Sequence, residues 1–92
     1  MKYVLLGKLS SDWMTRQEER LAGAKAKLAD LGITIDAVYY TQGEYDFVDI
    51  MDAPDATAML AFSVWYGQQG YGSLQTLPAF DEAAMAAALA KL

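Results

Sequence analysis

Two aspartates are the first candidates for chemistry in this chain. Asp36 and Asp49 fall in two strand-like segments joined by a tight turn, and the predicted register places them opposite each other. Opposed side chains lie about 4.5–5.5 Å apart at Cβ. Two carboxylates that close repel, so one holds its proton to higher pH, and the pair can supply an acid and a base. We therefore predict Asp49 and Asp36 as catalytic residues. The alternative is that Asp36, on an edge strand, points into water.

Aromatic and thioether side chains are predicted beside these carboxylates. In the same register Tyr40 faces Tyr45, and Phe47 and Met51 lie on the same face of the sheet. Two phenols placed in this way can donate hydrogen bonds to a carbonyl or phenolate ligand. We predict ligand-binding roles for Tyr40, Tyr45, Phe47 and Met51. The alternative is an aromatic cross-strand pair that packs a subunit interface. Two carboxylates make an incomplete cage for a divalent cation, so no metal site is predicted.

The predicted register depends on a two-residue turn at Gln42-Gly43. Because side chains alternate between the faces of a sheet, this turn separates an aliphatic face from a mixed aromatic and acidic face. We expect helices to cover the aliphatic face, which also carries Tyr39 and Asp46. A hydrogen bond between these two side chains would hold the hairpin tip. The mixed face carries every predicted site residue and is expected to remain open.

Hydrophobic periodicity predicts the elements that position these residues. Strands are expected at residues 3–9, 33–40, 45–51 and 73–77, and helices at residues 14–31, 54–66 and 81–92. With right-handed crossovers, the order βαββαβ folds as an α+β, ferredoxin-like sandwich with a C-terminal helix and sheet order 4-1-3-2. One domain spans residues 1–92. The apolar stripe of the first helix leaves Arg20 off its buried side.

Composition narrows the classes of partner and cofactor. The net charge of −5 disfavours binding to a phosphate backbone, so no nucleic-acid partner is expected. The chain has no cysteine and no histidine, which removes the usual zinc and haem ligands and the commonest general base, and we expect no cofactor. No segment approaches the roughly 20 apolar residues of a membrane span, and the apolar run at the N-terminus is too short for a signal peptide. We expect a cytoplasmic protein without a membrane partner.

The apolar content predicts self-association. Hydrophobic residues make up 54% of 92 residues, more than one small core hides. A mixed face that exposed Tyr40, Phe47 and Met51 would be a costly patch on a monomer. Packing this face against its copy would close two sheets into a shared barrel. We therefore expect a homodimer, or a higher homo-oligomer.

Several segments together resemble the GYD domain family. Gly43-Glu44-Tyr45-Asp46 is similar to its Gly-x-Tyr-Asp signature, and further similar segments follow in order along the chain. They are Tyr3-Val4-Leu5-Leu6-Gly7-Lys8, Leu31-Gly32, Tyr39, Asp52-Ala53-Pro54-Asp55, Thr76-Leu77 and Ala79-Phe80. The resemblance covers nearly the whole chain. It implies a dimeric α/β barrel of ferredoxin-like subunits, and it implies no particular activity.

Two hypotheses of function follow. The first is a dimeric small-molecule-binding protein or cofactor-independent enzyme that acts on a small ligand such as an aromatic compound. Asp49 or Asp36 would then exchange protons, while Tyr40 and Tyr45 orient the ligand. The second is a non-enzymatic interaction or assembly module with a packed dimer barrel. A cavity that reaches Asp49 and Tyr45 would favour the first.

Overall fold

Four strands and three α-helices form in the predicted order. The computed structural model describes every residue from Met1 to Leu92. The strands are β1 (Lys2–Leu9), β2 (Thr34–Tyr40), β3 (Phe47–Asp52) and β4 (Gly72–Ala79). The helices are α1 (Gln17–Asp30), α2 (Ala56–Gln68) and α3 (Glu82–Leu89), and a short 3-10 turn at Ser11–Trp13 precedes α1. All neighbouring strands pair antiparallel in the order β2-β3-β1-β4. The α+β class, the ferredoxin-like arrangement and the sheet order are confirmed.

The helices cover the face of the sheet that was expected to remain open. In β1, Tyr3 and Leu5 are buried, and β3 places Met51 opposite Tyr3 and Asp49 opposite Leu5. These apolar side chains share one core with residues of α1 and α2. We call this side of the sheet the covered face. The prediction that the Phe47, Asp49 and Met51 face lies open is therefore wrong, and so is the expectation that this face packs against a second copy.

A glycine in β1 explains why the aromatic face is the covered one. The Phe47 ring lies directly over Gly7, and a Cβ at Gly7 would stand 2.0 Å from the ring Cζ. Gly7 and Phe47 are also paired across the two strands. The missing side chain lets the ring lie flat against the sheet beneath the helices, where it is only 3% exposed. A glycine inside a strand often marks such a close approach.

The opposite side of the sheet, which we call the open face, is mainly aliphatic. Val48 and Ile50 are half-buried there, and Leu77 and Tyr39 are exposed. The other open-face side chains of the two central strands are Lys2, Val4, Leu6, Lys8 and Asp52. Because no helix lies over these residues, an apolar sheet surface remains in contact with solvent.

The hairpin between β2 and β3 has a wider tip than predicted. Tyr40 pairs with Phe47, and the Thr41 amide donates to the Asp46 carbonyl at 2.9 Å, so the loop contains four residues, 42–45. The predicted two-residue turn is therefore wrong, and the register is shifted by two near the tip. A shift of two preserves the face of each side chain. The loop needs a φ of +129° at position 43, which glycine adopts readily and residues with a Cβ do not.

A β-bulge changes the face of one segment of β2. Ile35 lies opposite Met51, but Ala37 lies opposite Ile50, so Asp36 has no partner of its own. The extra residue lets Ile35 and Val38, three positions apart, both lie on the covered face. Asp36 consequently does not face Asp49, which is paired with Val38. The predicted pairing of the two aspartates is wrong.

Aspartates begin two of the helices. The Asp55 carboxylate accepts from the Ala58 amide at 2.8 Å, and Asp81 accepts from Ala84 at 2.8 Å. Such N-caps satisfy backbone donors that the first helical turn leaves free. α1 and α2 then bury apolar side chains on the covered face, whereas no residue of α3 is buried. None of the helices has the length and hydropathy needed to cross a membrane.

The close contact between Phe47 and Gly7 generates a stability prediction. Gly7→Ala forces the ring to move, and we expect it to lower the free energy of unfolding by about 2–3 kcal/mol because overpacking strains the core. Gly67→Ala is the matched control, because Gly67 lies in α2 with nothing within 4 Å of an added Cβ. Alanine favours a helix over glycine by about 0.5–1 kcal/mol, so this control is expected to stabilise the protein. Urea unfolding measures both. A Gly7→Ala protein as stable as wild type would show that Phe47 does not require the glycine.

Candidate functional site

Three polar side chains are buried together between the helices and the sheet. Arg20 of α1 is 4% exposed, Asp49 of β3 is 9% exposed and Tyr66 of α2 is 2% exposed. The charge of Arg20 acts on both Asp49 and Tyr66, which places the three groups near one another. We call this set the polar cluster. It contains a carboxylate, a guanidinium and a phenol within an otherwise apolar core.

Each member of the polar cluster is positioned by the periodicity of its element. Arg20 lies one turn before Ala24 and two turns before Leu28, which are both buried, so its side chain enters the core. Tyr66 follows Phe62 by one turn on the buried side of α2. Asp49 lies two positions from buried Phe47 and from buried Met51 in β3, so its side chain points to the same covered face as theirs. The helical and strand repeats that point apolar side chains into the core therefore point these three polar side chains into it as well.

The polar cluster leaves hydrogen-bonding capacity unused. The Nε of Arg20, the Oδ1 of Asp49 and the hydroxyl of Tyr66 are buried and have no hydrogen-bond partner at normal distance, although the Arg20 side chain lies close enough to the Tyr66 hydroxyl to act as a weak donor. A buried polar group without a partner costs about 1–3 kcal/mol, and more if it is charged. A native domain of this size normally has only a few buried polar groups without partners, and here three of them lie on side chains of one cluster. They could offer one donor or acceptor each to a small polar molecule.

Burial changes the acidity of the cluster. It raises the pKa of Asp49 from 3.8 to about 6, although the positive charge of Arg20 acts in the opposite direction. Burial also raises the pKa of the Tyr66 phenol, again against the effect of Arg20. Near neutral pH, Asp49 is mostly ionised but can readily take up a proton. Tyr66 remains a neutral donor.

Aromatic rings surround the cluster. The Arg20 guanidinium carbon lies 5.5 Å from the centre of the Phe47 ring. Tyr66 packs edge-on against Phe47 at 6.4 Å and against Tyr71 at 5.2 Å between ring centres. Trp65 continues the aromatic contact at 5.8 Å from Tyr71. These rings exclude water from the carboxylate and make its neutral form more stable.

The covered face is partly exposed at β2, beside the polar cluster. Val38 lies opposite Asp49 on the covered face and is 37% exposed, so the helices do not extend over this strand. Tyr40, half exposed, accepts a hydrogen bond at 3.0 Å from Gln17, the first residue of α1. This bond joins the helix to the edge strand one helical turn from Arg20. The three surface grooves of the chain lie elsewhere, and none is lined by Asp49 or Tyr45, so the single chain does not contain the cavity that would favour the ligand-binding hypothesis.

A comparison of the sequence with models of known protein families gives a match over nearly the whole chain. The GYD domain family matches residues 3–89 of the 92-residue chain. The chain belongs to the GYD domain family. A comparison with curated proteins finds no match. In this GYD domain, the signature residues Gly43 to Asp46 form the tip of the β2–β3 hairpin, outside the polar cluster.

The signature tyrosine and aspartate of this GYD domain serve different parts of the loop. The Asp46 carboxylate accepts a hydrogen bond at 2.7 Å from the Leu9 amide, which attaches the hairpin to the end of β1. The predicted bond between Asp46 and Tyr39 is wrong, because Tyr39 is on the open face and 62% exposed. The Tyr45 hydroxyl donates to Gln75 at 2.8 Å. Asp46 thus holds the hairpin, as expected, through a different partner.

The structure brings together four of the six predicted site residues. Tyr40, Phe47, Asp49 and Met51 share the covered face of the GYD domain. Tyr45 lies apart, near Gln75 of β4, so the predicted pairing of Tyr40 with Tyr45 is wrong. Asp36 also lies apart and forms an exposed ion pair with Lys2. The assignment of Asp49 as a proton-exchanging residue remains a prediction.

Sequence reasoning missed Arg20 and Tyr66 as members of a site. Arg20 was placed off the apolar stripe of α1, yet it lies in a buried row of positions four apart that continues through Ala24 and Leu28. That spacing was the available signal. Tyr66 follows Phe62 by the same spacing, but a tyrosine on a core stripe usually packs as an aromatic. No group of three or more acidic, histidine or cysteine side chains is placed to hold a metal ion.

The raised pKa of Asp49 generates a prediction about pH and stability. The folded protein binds a proton more tightly than the unfolded chain, so this contribution is full below about pH 4 and is lost as the pH rises through about 6. Asp49→Asn imitates the protonated form. At pH 7 we expect it to raise the free energy of unfolding by about 2 kcal/mol and to flatten the pH dependence between 4 and 7.

The matched control for this variant is Asp36→Asn. It removes a carboxylate that is exposed and paired only with Lys2, so we expect a change within about 0.5 kcal/mol. Denaturant unfolding at several pH values measures both variants. If Asp49→Asn were less stable than wild type at pH 7, the ionised carboxylate would have to be stabilising the fold.

Proposed function

We propose that this GYD domain binds a small ligand at the polar cluster, and that Asp49 exchanges a proton with it. The observation that carries the proposal is the set of three buried polar atoms without partners on Arg20, Asp49 and Tyr66. A ligand with one acidic hydroxyl group could satisfy all three. Its oxygen would accept from Arg20 and Tyr66, and its proton would pass to Asp49.

The acidity of the cluster suits such a transfer. A proton acceptor works best with a pKa near the working pH, and that of Asp49 is about 6. When a hydroxyl proton passes to Asp49, the carboxylate loses its charge and the ligand oxygen gains it beside the Arg20 guanidinium. The negative charge on the ligand would then be stabilised by a buried cation that has a free donor. A cofactor-independent reaction that begins with proton removal would use the same groups.

The surroundings favour an aromatic or enolic ligand. Phe47, Tyr66 and Tyr71 present ring edges and faces near the cluster, and Met51 continues the apolar wall on the covered face. A flat ligand could enter over Val38 if the hydrogen bond between Gln17 and Tyr40 opens. Breaking one exposed hydrogen bond costs only about 1 kcal/mol. Tyr40 would then be free to contact the ligand.

The proton transfer can be tested with 4-nitrophenol, whose phenolate form is yellow. We expect the phenolate band to increase when wild-type protein is added near pH 7, because Asp49 accepts the proton and Arg20 stabilises the anion. Asp49→Asn imitates the carboxyl that has already accepted the proton, so the band should still increase, but the ligand proton should then be released to the solution instead of being held by the protein. Asp36→Asn, the same change on the other side of the sheet, is expected to behave as wild type in both respects. The measurements are a difference absorption spectrum and the proton release, recorded together during titration in weak buffer.

Two outcomes would contradict the proposal. One is a wild-type protein that leaves the spectrum unchanged at millimolar concentrations of the phenol. The other is a wild-type protein that releases the ligand proton to the solution as fully as Asp49→Asn does, which would show that Asp49 does not accept it.

We further propose that two copies pack their open faces together to form an α/β barrel. Val48, Ile50 and Leu77 belong to an aliphatic surface that no element of the same chain covers. Burial stabilises such a surface by about 25 cal/mol per Å². This surface equally supports the second candidate function, an interaction module whose barrel is packed solid. The polar cluster lies on the covered face and would remain outside the barrel in either case.

The open-face dimer can be tested with Leu77→Lys. Leu77 is 41% exposed, so the change should leave the isolated domain folded, whereas the buried charge in the dimer should weaken association at least tenfold. Leu60→Lys is the control, because Leu60 is 64% exposed on α2, away from the open face. Sedimentation equilibrium measures both. A dimer unaffected by Leu77→Lys would not use the open face.

A further inference from the structure

The C-terminal helix α3 is apolar but has no buried side chain. Met85 is 60% exposed and Leu89 is 58% exposed, and Phe80 just before the helix is 78% exposed. Between Asp81 and Lys91 the only charged side chain is Glu82. A helix that stays in water normally carries a polar outer face. α3 therefore has the composition of a buried helix, but no other part of the same chain buries it.

The length of α3 makes this lack of contacts important. It contains eight residues, and isolated helices shorter than about 12–15 residues are marginal in water even when rich in alanine. The Asp81 N-cap contributes about 1 kcal/mol, which is too little to offset nucleation. A second surface is needed to keep the helix formed.

The position of α3 identifies where that surface lies. Phe80 and Ala84 line a groove of about 390 Å³ together with Lys2 and Ala79. Lys2 and Ala79 are paired across β1 and β4 and belong to the open side of the sheet. A second groove of about 450 Å³ runs along the helix itself and is lined by Phe80, Ala84, Met85, Ala87, Ala88 and Lys91. The apolar surface of α3 is therefore continuous with the rim of the open face.

We propose that α3 is an arm that packs on a second copy of this chain, beside the open face of that copy. The inference rests on the proposed open-face dimer and adds to it the surface that makes the dimer stable. In a two-fold dimer each arm contacts the other subunit, so both helices would be covered at once. The groove lined by Ala84, Met85 and Ala88 would receive side chains of the partner.

The area of the open face supports this role. Its strands contain six to eight residues. At roughly 3.3 Å per residue and 4.8 Å between strands, four of them present a flat area of about 450 Å². A stable interface buries about 800 Å² on each partner. The flat area of the sheet is smaller than this accessible area, although side-chain relief adds to it, and an apolar arm at the rim supplies a further surface of suitable chemistry.

The test compares one substitution at two positions of α3. Ala88 lines the groove, whereas Ala86, two residues away on the opposite side of the helix, does not. Neither residue is buried in the single chain, so neither Ala88→Lys nor Ala86→Lys should unfold the domain. We expect Ala88→Lys to raise the dimer dissociation constant at least tenfold in sedimentation equilibrium. Ala86→Lys should change it less than twofold.

Hydrogen exchange supplies a second measurement on the unmodified protein. We expect the amides of Met85–Leu89 to be protected at concentrations where the dimer forms and to exchange freely on dilution. The amides of β1 should remain protected throughout. Protection of α3 that does not depend on concentration would show that the helix is stable on its own chain and would overturn the proposal.

The outcomes separate the arm from the dimer. If Leu77→Lys weakens association but Ala88→Lys does not, the open-face dimer stands and the arm is wrong. If both weaken association and Ala86→Lys does not, the arm is supported. If wild type is monomeric at micromolar concentration, both the dimer and the arm are wrong, while ligand binding at the polar cluster is unaffected.

Discussion

The contact between the Phe47 ring and Gly7 decides which face of the sheet the helices cover. Because side chains alternate along a strand, seating Phe47 under the helices also directs Asp49 and Met51 inward. The aliphatic residues Val48 and Ile50 then have to face outward. One missing side chain in β1 therefore sets both the contents of the core and the character of the exposed sheet.

The cost of this arrangement is a carboxylate in the core. The positive charge of Arg20 acts on Asp49, yet burial still raises the pKa of the Asp49 carboxyl to about 6. Replacing a buried ionic group by apolar residues is often neutral or stabilising, so its presence is weak evidence for a role in stability. The unused hydrogen-bonding atoms of Arg20, Asp49 and Tyr66 instead support the proposal that the cluster binds a ligand.

Much of the fold could be predicted from the sequence, because element type and order follow from local periodicity and from the handedness of crossovers. The sheet order and both long helices were obtained in this way. The sequence could not show which face of the sheet the helices cover. Both faces are rich in apolar residues, and the decisive contact joins Gly7 to Phe47, 40 positions apart. The bulge at Asp36 and the four-residue loop at Gly43 depend equally on tertiary contacts, such as the bond from Leu9 to Asp46.

The candidate site was predicted in part. Asp49, Phe47, Met51 and Tyr40 were placed on one face, and they do share one, whereas Arg20 and Tyr66 come from helices whose docking the sequence does not determine. The most direct test of the account is the pKa of the Asp49 side chain, measured by NMR titration of its carboxyl carbon. A value of about 6 in wild-type protein is predicted. A value near 4, the ordinary one for an aspartate, would contradict the buried polar cluster and the function inferred from it.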